Sequence, residues 1–124
     1  MLAALEALVK LESPTEDLQA CQDVIKLASD LATKVLGTPA EIRDVNGRPV
    51  FWWGANNPEV VVLAHLDTVW PKGSFTPLWK VEGTKATGPG IFDMKAGFIQ
   101  ALYAMKGITG SVALVATTDE ETGS

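Results

Sequence analysis

The stretch VVVLAHLD, residues 60–67, is the clearest guide to the fold of this chain. It begins with a continuous run of β-branched and apolar side chains that extends to Ala64. Such a run is typical of a strand that is buried on both faces, as in a parallel sheet covered by helices. The polar residues His65 and Asp67 follow directly. Because ligands of open α/β sheets gather beyond the carboxyl ends of the strands, we expect both side chains to lie at a functional edge.

A second buried strand is predicted from Ser111 to Thr117, where the sequence is again mostly apolar. Between the two strands, apolar spacing predicts a helix from about Asp93 to Met105, and Gly107 ends it. Two buried strands joined through a helix indicate a right-handed parallel crossover. The predicted fold class is therefore α/β, with a mixed, largely parallel sheet flanked by helices.

The remaining segments predict two more helices and two hairpins. Residues 2–11 have apolar side chains at helical spacing. A longer helix is expected to begin after Thr15, a plausible N-cap, and to run to about Leu36. Asn46-Gly47 lies between two extended segments and predicts a hairpin, since both residues tolerate positive φ. A second hairpin is expected around Gly83.

Composition and charge exclude several classes of protein. The 124 residues carry a net charge of −5 without a basic patch, which argues against nucleic-acid binding. No segment approaches the roughly 18 consecutive apolar residues that a membrane span requires. The N-terminus resembles an amphipathic helix more than a signal peptide, and the single cysteine, Cys21, fits a reducing compartment. We therefore expect a cytoplasmic protein that does not bind membranes.

One imidazole and several carboxylates converge on the predicted carboxyl edge of the sheet. Glu120 and Glu121 follow the second strand, and Asp93 follows a glycine-rich loop within the crossover. This concentration of negative charge is costly unless a cation neutralises it. Imidazole with carboxylates suits zinc, and also cobalt or manganese. Since residues i and i+2 of an extended chain point to the same side, Asp67 can reach the ring of His65 and fix its tautomer.

Each of these residues also has an ordinary structural interpretation. Asp93 could be the N-cap of its helix, and Glu120 and Glu121 could be solvated surface charges. Lys95 is expected to be a solvent-facing helix residue, and the four tryptophans are assigned to packing. The metal-site hypothesis therefore depends on the combination of residues.

Three segments of the chain resemble those of the M20 metallopeptidases, in the same order. Residues 65–69 (HLDTV) are similar to the family's H-x-D-T-V segment, and residues 88–97 (GPGIFDMKAG) to its G-x-G-x-x-D-M-K-x-G segment. Residues 118–124 (TDEETGS) are similar to its D-E-E-x-G-S segment. The resemblance implies that residues 1–124 are the N-terminal part of a zinc-exopeptidase-like catalytic domain, which is incomplete because an inserted dimerisation domain and the C-terminal part are absent.

The resemblance also implies a site with two divalent metal ions, with zinc as the expected metal and cobalt or manganese as alternatives. By motif position His65 binds one ion, Glu121 binds the other, and Asp93 bridges both, often with a cis peptide bond after it. Glu120 is the implied general base and acid, and Asp67 orients His65. The family takes a further acidic ligand and a late histidine from outside this segment, so the 124-residue chain alone is expected to be inactive.

The implied activity is hydrolysis of an amide or peptide bond through a water bridging the two ions. The loops at residues 88–91 and 70–73 most resemble the glutamate carboxypeptidase branch, whose members release a C-terminal glutamate. The expected substrate is a small peptide or N-acyl amino acid, and the parent protein is expected to be a homodimer. An N-acyl-amino-acid deacylase, a dipeptidase and a non-catalytic binding module remain as alternatives.

Overall fold

A four-stranded mixed sheet with three helices on one face forms the body of the protein in a computed structural model that describes residues 1–123. The helices are α1 (Leu2–Lys10), α2 (Leu18–Leu36) and α3 (Ala96–Ala104). The strands are β1 (Glu41–Val45), β2 (Arg48–Gly54), β3 (Val60–His65), β4 (Lys80–Glu82), β5 (Lys85–Thr87) and β6 (Val112–Thr117). The main sheet has the order β1-β2-β6-β3, and β4 pairs with β5 separately. The predicted α/β class with a mixed sheet is confirmed.

Strands β3 and β6 form the parallel pair that the sequence predicts. Their register places His65 beside Thr117, so both strands end at the same edge of the sheet. Helix α3 lies between them in sequence and contacts both. The segments that follow the two strands therefore start side by side. By contrast, β2 runs antiparallel to both β1 and β6.

The hydrophobic core lies between the three helices and one face of the sheet. Phe51 of β2 meets Phe98 of α3 edge to face, with ring centroids 5.2 Å apart. Aromatic pairs in this arrangement stabilise a core beyond the area they bury. The largest apolar side chains fully buried there are Leu8, Ile25, Phe51, Leu66, Phe98, Ile99, Leu102 and Leu114. This packing fixes the sheet edge on which the predicted site residues lie.

The prediction that β3 is buried on both faces is wrong. Val61 and Leu63 are 49% and 66% exposed, whereas Val62 packs against the helical core. Strand β3 lies at the edge of the described sheet, and the helices cover only the opposite face. Strand β6 is central, and its residues from Ala113 to Ala116 are buried as predicted.

Both predicted hairpins are confirmed. Asn46 and Gly47 connect β1 to β2 with φ values of 53° and 80°. Two successive residues with positive φ are the arrangement that matches the twist of the flanking strands. The β4–β5 hairpin turns at Gly83, which also has positive φ.

Two predicted helix starts are wrong. Helix α2 begins after Asp17, whose Oδ1 accepts a hydrogen bond from the Ala20 N–H at 2.9 Å, so Thr15 is not the N-cap. Helix α3 begins at Ala96 because residues Ile91–Lys95 form an irregular turn. Asp93 has an extended backbone within this turn and does not cap the helix. Between residues 1 and 123, no helix combines the length and apolar character needed to cross a bilayer.

Candidate metal centre

His65 occupies the end of β3 and is almost completely buried. Its two ring nitrogens face different groups. Nδ1 lies 3.2 Å from the backbone oxygen of Asp67 and 3.4 Å from its carboxylate Oδ1. Nε2 points the other way, toward Oδ1 of Asp93 at 3.0 Å. The imidazole therefore has one nitrogen held by its own loop and one directed at the predicted site.

Asp67 is fully buried, and its carboxylate lies beside the ring of His65, as the i and i+2 spacing predicts. Its Oδ2 accepts hydrogen bonds from the Thr15 hydroxyl at 2.7 Å and from the Glu121 N–H at 3.2 Å. Burial alone would raise the pKa of Asp67, but the hydrogen bonds from His65, Thr15 and Glu121 outweigh it and hold the pKa below its usual value. Asp67 is therefore an ionised acceptor beside the imidazole.

Asp93 and Glu120 approach the same nitrogen of His65 from different segments. Asp93 is carried by the irregular turn before α3, and the peptide bond after it is cis, in agreement with the family resemblance. Glu120 follows β6, and its Oε2 lies 3.8 Å from His65 Nε2. Both carboxylates are largely exposed, so they remain accessible to a ligand.

Glu121 completes a cluster of donor atoms. One ligand atom each from His65, Glu120 and Glu121 lie within 4.8 Å of one another, and Asp93 lies against His65 just beside this set. Nitrogen and carboxylate oxygen are the donors that zinc, cobalt and manganese accept. Glu120 and Glu121, for which solvated surface charges were the ordinary alternative, thus lie together beside the histidine.

The electrostatics of the cluster favour a cation. The hydrogen bond with Asp67 is the main cause that raises the pKa of His65 to about 9, against the opposing effect of burial, and Asp93 and Glu120 add to the increase. For Glu121, burial is the main cause that raises the pKa. The charge of His65 opposes this effect, and the neighbouring carboxylates of Asp93, Asp67 and Glu120 add to it. Carboxylates that repel one another are stabilised when a positive ion joins them.

The environment of Lys95 differs from the predicted one. Its side chain is fully buried, and Nζ donates hydrogen bonds to the backbone oxygens of Leu8 at 2.9 Å and Leu11 at 3.2 Å. Burial lowers the pKa of this ammonium to about 8. The prediction of a solvent-facing helix residue is therefore wrong. Lys95 instead connects the turn that carries Asp93 to the end of α1.

An open cavity of about 670 Å³ lies beside the cluster and could receive part of a substrate. Glu121 is on its border, and the other side chains around it come from the segment before α2, the start of α2, the loop after β3 and the segment after β6. They include Pro14, Thr15, Leu18, Thr68, Val69 and Thr122. Ser124, the last residue of the D-E-E-x-G-S segment, is outside the described residues.

A parallel-strand edge with clustered imidazole and carboxylate donors is typical of metal-dependent hydrolases. The sequence profile of peptidase family M20/M25/M40 matches residues 61–124, which is more than half of the chain. The chain belongs to this peptidase family, and the resemblance drawn from its three motifs is confirmed.

Similar proteins agree with this assignment. The chain is 37% identical over 79 residues to carboxypeptidase G2 of Pseudomonas sp. (strain RS-16). The aligned region covers 57% of this chain and 19% of that protein. An M20 family metallo-carboxypeptidase from Sulfolobus solfataricus superimposes with a TM-score of 0.81 at 21% identity, over 98% of this chain and 31% of that one. Human carnosine dipeptidase 1 superimposes with a TM-score of 0.73 at 20% identity, over 98% of this chain and 32% of that one.

The two structural similarities establish the fold alone, because both identities are low. The chain spans about a fifth of the length of carboxypeptidase G2 and about a third of each structural neighbour.

Proposed function

We propose that this chain supplies the metal-binding edge of a hydrolase that cleaves an amide or peptide bond. The observation that carries the proposal is the convergence of His65 Nε2 with Asp93 at 3.0 Å and Glu120 at 3.8 Å, next to Glu121. These groups come from three separate segments of the chain. Imidazole nitrogen and carboxylate oxygen are the donors that a divalent metal site uses.

We expect the donor set to contribute to a site for two divalent ions, with zinc as the expected metal and cobalt or manganese as alternatives. His65 would hold one ion, Glu121 the other, and the exposed carboxylate of Asp93 would be shared by both. When bound, the ions would polarise the scissile carbonyl and lower the pKa of the attacking water. In this proposal, residues 1–124 form the N-terminal part of a catalytic domain. An inserted dimerisation domain and further ligands would lie elsewhere in a longer protein, which would be a homodimer.

Asp67 prepares His65 for this role. An ionised acceptor beside Nδ1 keeps a proton on that nitrogen. The lone pair of Nε2 is then directed toward the cluster, where a cation would replace the proton. Asp67 also holds the Glu121 backbone N–H, so the same carboxylate supports ligands at the ends of both parallel strands.

Glu120 is the proposed general base and acid. Its carboxylate reaches the cluster while remaining more than half exposed, so the attacking water can reach it. Glu120 would take a proton from the water whose oxygen attacks the carbonyl carbon. It would return that proton to the departing nitrogen as the carbon–nitrogen bond breaks. The neighbouring Glu121 would have a different task, since its carboxylate belongs to a metal.

The proposed substrate is a small peptide or N-acyl amino acid from which a C-terminal glutamate or similar residue is released. The similarity to carboxypeptidase G2 supports a carboxypeptidase, and the loops at residues 70–73 and 88–91 support the glutamate branch. Deacylation of N-acyl amino acids and dipeptide cleavage use the same chemistry on different groups. A non-catalytic binding module is disfavoured, because such a module has no need of a free glutamate beside the metal ligands.

Hydrolysis by the intact protein tests the proposal. The protein would be stripped with a chelator, reloaded with zinc, cobalt or manganese, and assayed on an N-acyl-glutamate, a peptidyl-glutamate, a dipeptide and an N-acetyl amino acid. We expect hydrolysis that disappears on chelation, returns with metal and is fastest on a glutamate derivative. Fastest cleavage of the N-acetyl amino acid or dipeptide would change the substrate class. An intact protein that binds no metal and cleaves none of the four would favour the binding module.

A further inference from the structure

We propose that Thr15 is a positioning residue that orients His65 through Asp67, an inference that rests on the proposed metal site. Its hydroxyl is buried and donates to Asp67 Oδ2 at 2.7 Å. Thr15 lies 52 residues away from Asp67 in sequence, and its role differs from the helix cap that its local pattern predicts. The residue therefore belongs to the support of the metal site.

The contacts of Asp67 explain how this hydroxyl acts on the imidazole. Oδ2 is occupied by two donors, the Thr15 hydroxyl and the Glu121 N–H. Oδ1 is buried and faces His65 Nδ1 at 3.4 Å, a longer contact than either of the two that Oδ2 makes. With Oδ2 held from two directions, the carboxylate plane is fixed and Oδ1 is directed at the ring. With Nδ1 supported in this way, Nε2 would be held in position to bind a metal ion.

Thr15 can fix Asp67 because its own backbone is fixed. Its N–H donates to the Thr68 oxygen at 3.2 Å, and Arg48 Nη1 donates to the Thr15 oxygen at 2.6 Å. The Thr68 N–H in turn donates to the Ser13 oxygen at 2.9 Å, so Pro14 and Thr68 form a parallel β-bridge. The segment before α2 is thereby attached to the loop after β3. The Thr15 hydroxyl is therefore carried by a backbone that is hydrogen-bonded on both sides.

Loss of the hydroxyl would affect the metal site more than the fold. A hydrogen bond to an ionised carboxylate is roughly twice as strong as one between neutral groups. Without it, the buried carboxylate of Asp67 would turn toward the Glu121 N–H, and the ring of His65 would lose its fixed partner. Groups that support metal ligands typically contribute about 10–100-fold to metal affinity.

The test compares Thr15→Val, which keeps the shape and removes the donor, with Thr15→Ser, which keeps the donor. Thr33→Val is the matched control, since the Thr33 hydroxyl donates only to the Ser29 oxygen within α2. Zinc affinity of the intact protein would be measured by competition with a chromophoric chelator, and the visible spectrum would be recorded with cobalt. We expect Thr15→Val to lose about tenfold in affinity with an altered spectrum. Thr15→Ser and Thr33→Val should behave like the parent.

A double variant shows whether Thr15 acts through Asp67. In an Asp67→Ala background, Thr15→Val should cause no further loss of affinity, because the acceptor of the Thr15 hydroxyl is already absent. An equal loss in both backgrounds would overturn the inference. Parent-like affinity in Thr15→Val would also overturn it, as would a loss in Thr15→Ser as large as in Thr15→Val. The comparison of these two variants decides alone if Asp67→Ala does not fold. A parent protein that binds no zinc would overturn the proposed function together with the inference.

Discussion

Nε2 of His65 lies 3.0 Å from Oδ1 of Asp93, although 28 residues separate the two in sequence. His65 ends strand β3, and Asp93 is held in an irregular turn before α3. The two groups are brought together by the crossover that joins the parallel strands. Both groups are of the kinds that would hold a divalent cation.

Removal of either ligand should weaken zinc binding without unfolding the protein. We expect His65→Ala and Asp93→Ala each to lower the zinc affinity of the intact protein by at least tenfold, as loss of a metal ligand exceeds loss of its support. Asp30→Ala is the control, because Asp30 is exposed on α2 away from the cluster. Isothermal titration calorimetry measures the change. Unchanged affinity in both site variants would place the metal elsewhere.

Gly90 should be more sensitive to substitution than a glycine of similar backbone conformation. Gly90 and Gly107 both have positive φ, but a Cβ at Gly90 would lie 2.5 Å from Thr68 Cγ2, whereas a Cβ at Gly107 would meet no atom within 4 Å. Gly107→Ala should cost roughly 1–2 kcal/mol of unfolding free energy from backbone strain alone. Gly90→Ala should cost more and also lower zinc affinity, since it separates the Asp93 turn from the loop after β3. Denaturant unfolding measures the free energies, and equal costs would contradict the close approach.

The fold and the cluster were predictable where short sequence patterns carry the information. Asn46-Gly47 specifies its hairpin locally, and the apolar runs before His65 and Glu120 indicate strands whose ends meet. The side chains that hold the cluster in place were not predictable in this way. The buried ammonium of Lys95 donates hydrogen bonds to carbonyl groups 84 and 87 residues away, and the Thr15 hydroxyl donates one to Asp67.

Local patterns failed at these positions for a physical reason. A lysine near a helix start is normally solvated, and a threonine before a helix is normally a cap. Only the tertiary arrangement offers Lys95 the free carbonyls at the end of α1 and offers Thr15 a buried carboxylate. The exposure of β3 is a similar case, because periodicity cannot say whether an element covers the second face.

Lys95 should contribute to stability through α1. Lys95→Met keeps most of the side-chain volume but leaves the Leu8 and Leu11 oxygens without their donor. We expect the free energy of unfolding to fall by about 1–3 kcal/mol. Lys26→Met, on the exposed side of α2, should change it little. Denaturant unfolding of the metal-free protein is the measurement, and a more stable Lys95→Met variant would mean that burial of the charge outweighs its hydrogen bonds.

The isolated 124-residue chain should be inactive if the remaining ligands and one wall of the substrate pocket lie outside it. We expect weak zinc binding and no hydrolysis of an N-acyl-glutamate by this chain alone. The comparison is with the intact protein under the same conditions. Hydrolysis by the isolated chain at a rate typical of enzymes would refute the proposal that it is part of a larger catalytic domain.

The most direct test of the central claim is the hydrolysis rate of the zinc-loaded Glu120→Gln variant beside the parent. Glutamine preserves the shape of Glu120 but cannot accept the proton of the attacking water. We predict unchanged zinc content and a rate lower by about 10²–10⁴-fold, the contribution of a general base. Glu59→Gln, on the exposed surface, should retain the parent rate. Equal rates for Glu120→Gln and the parent, with equal zinc content, would contradict the account.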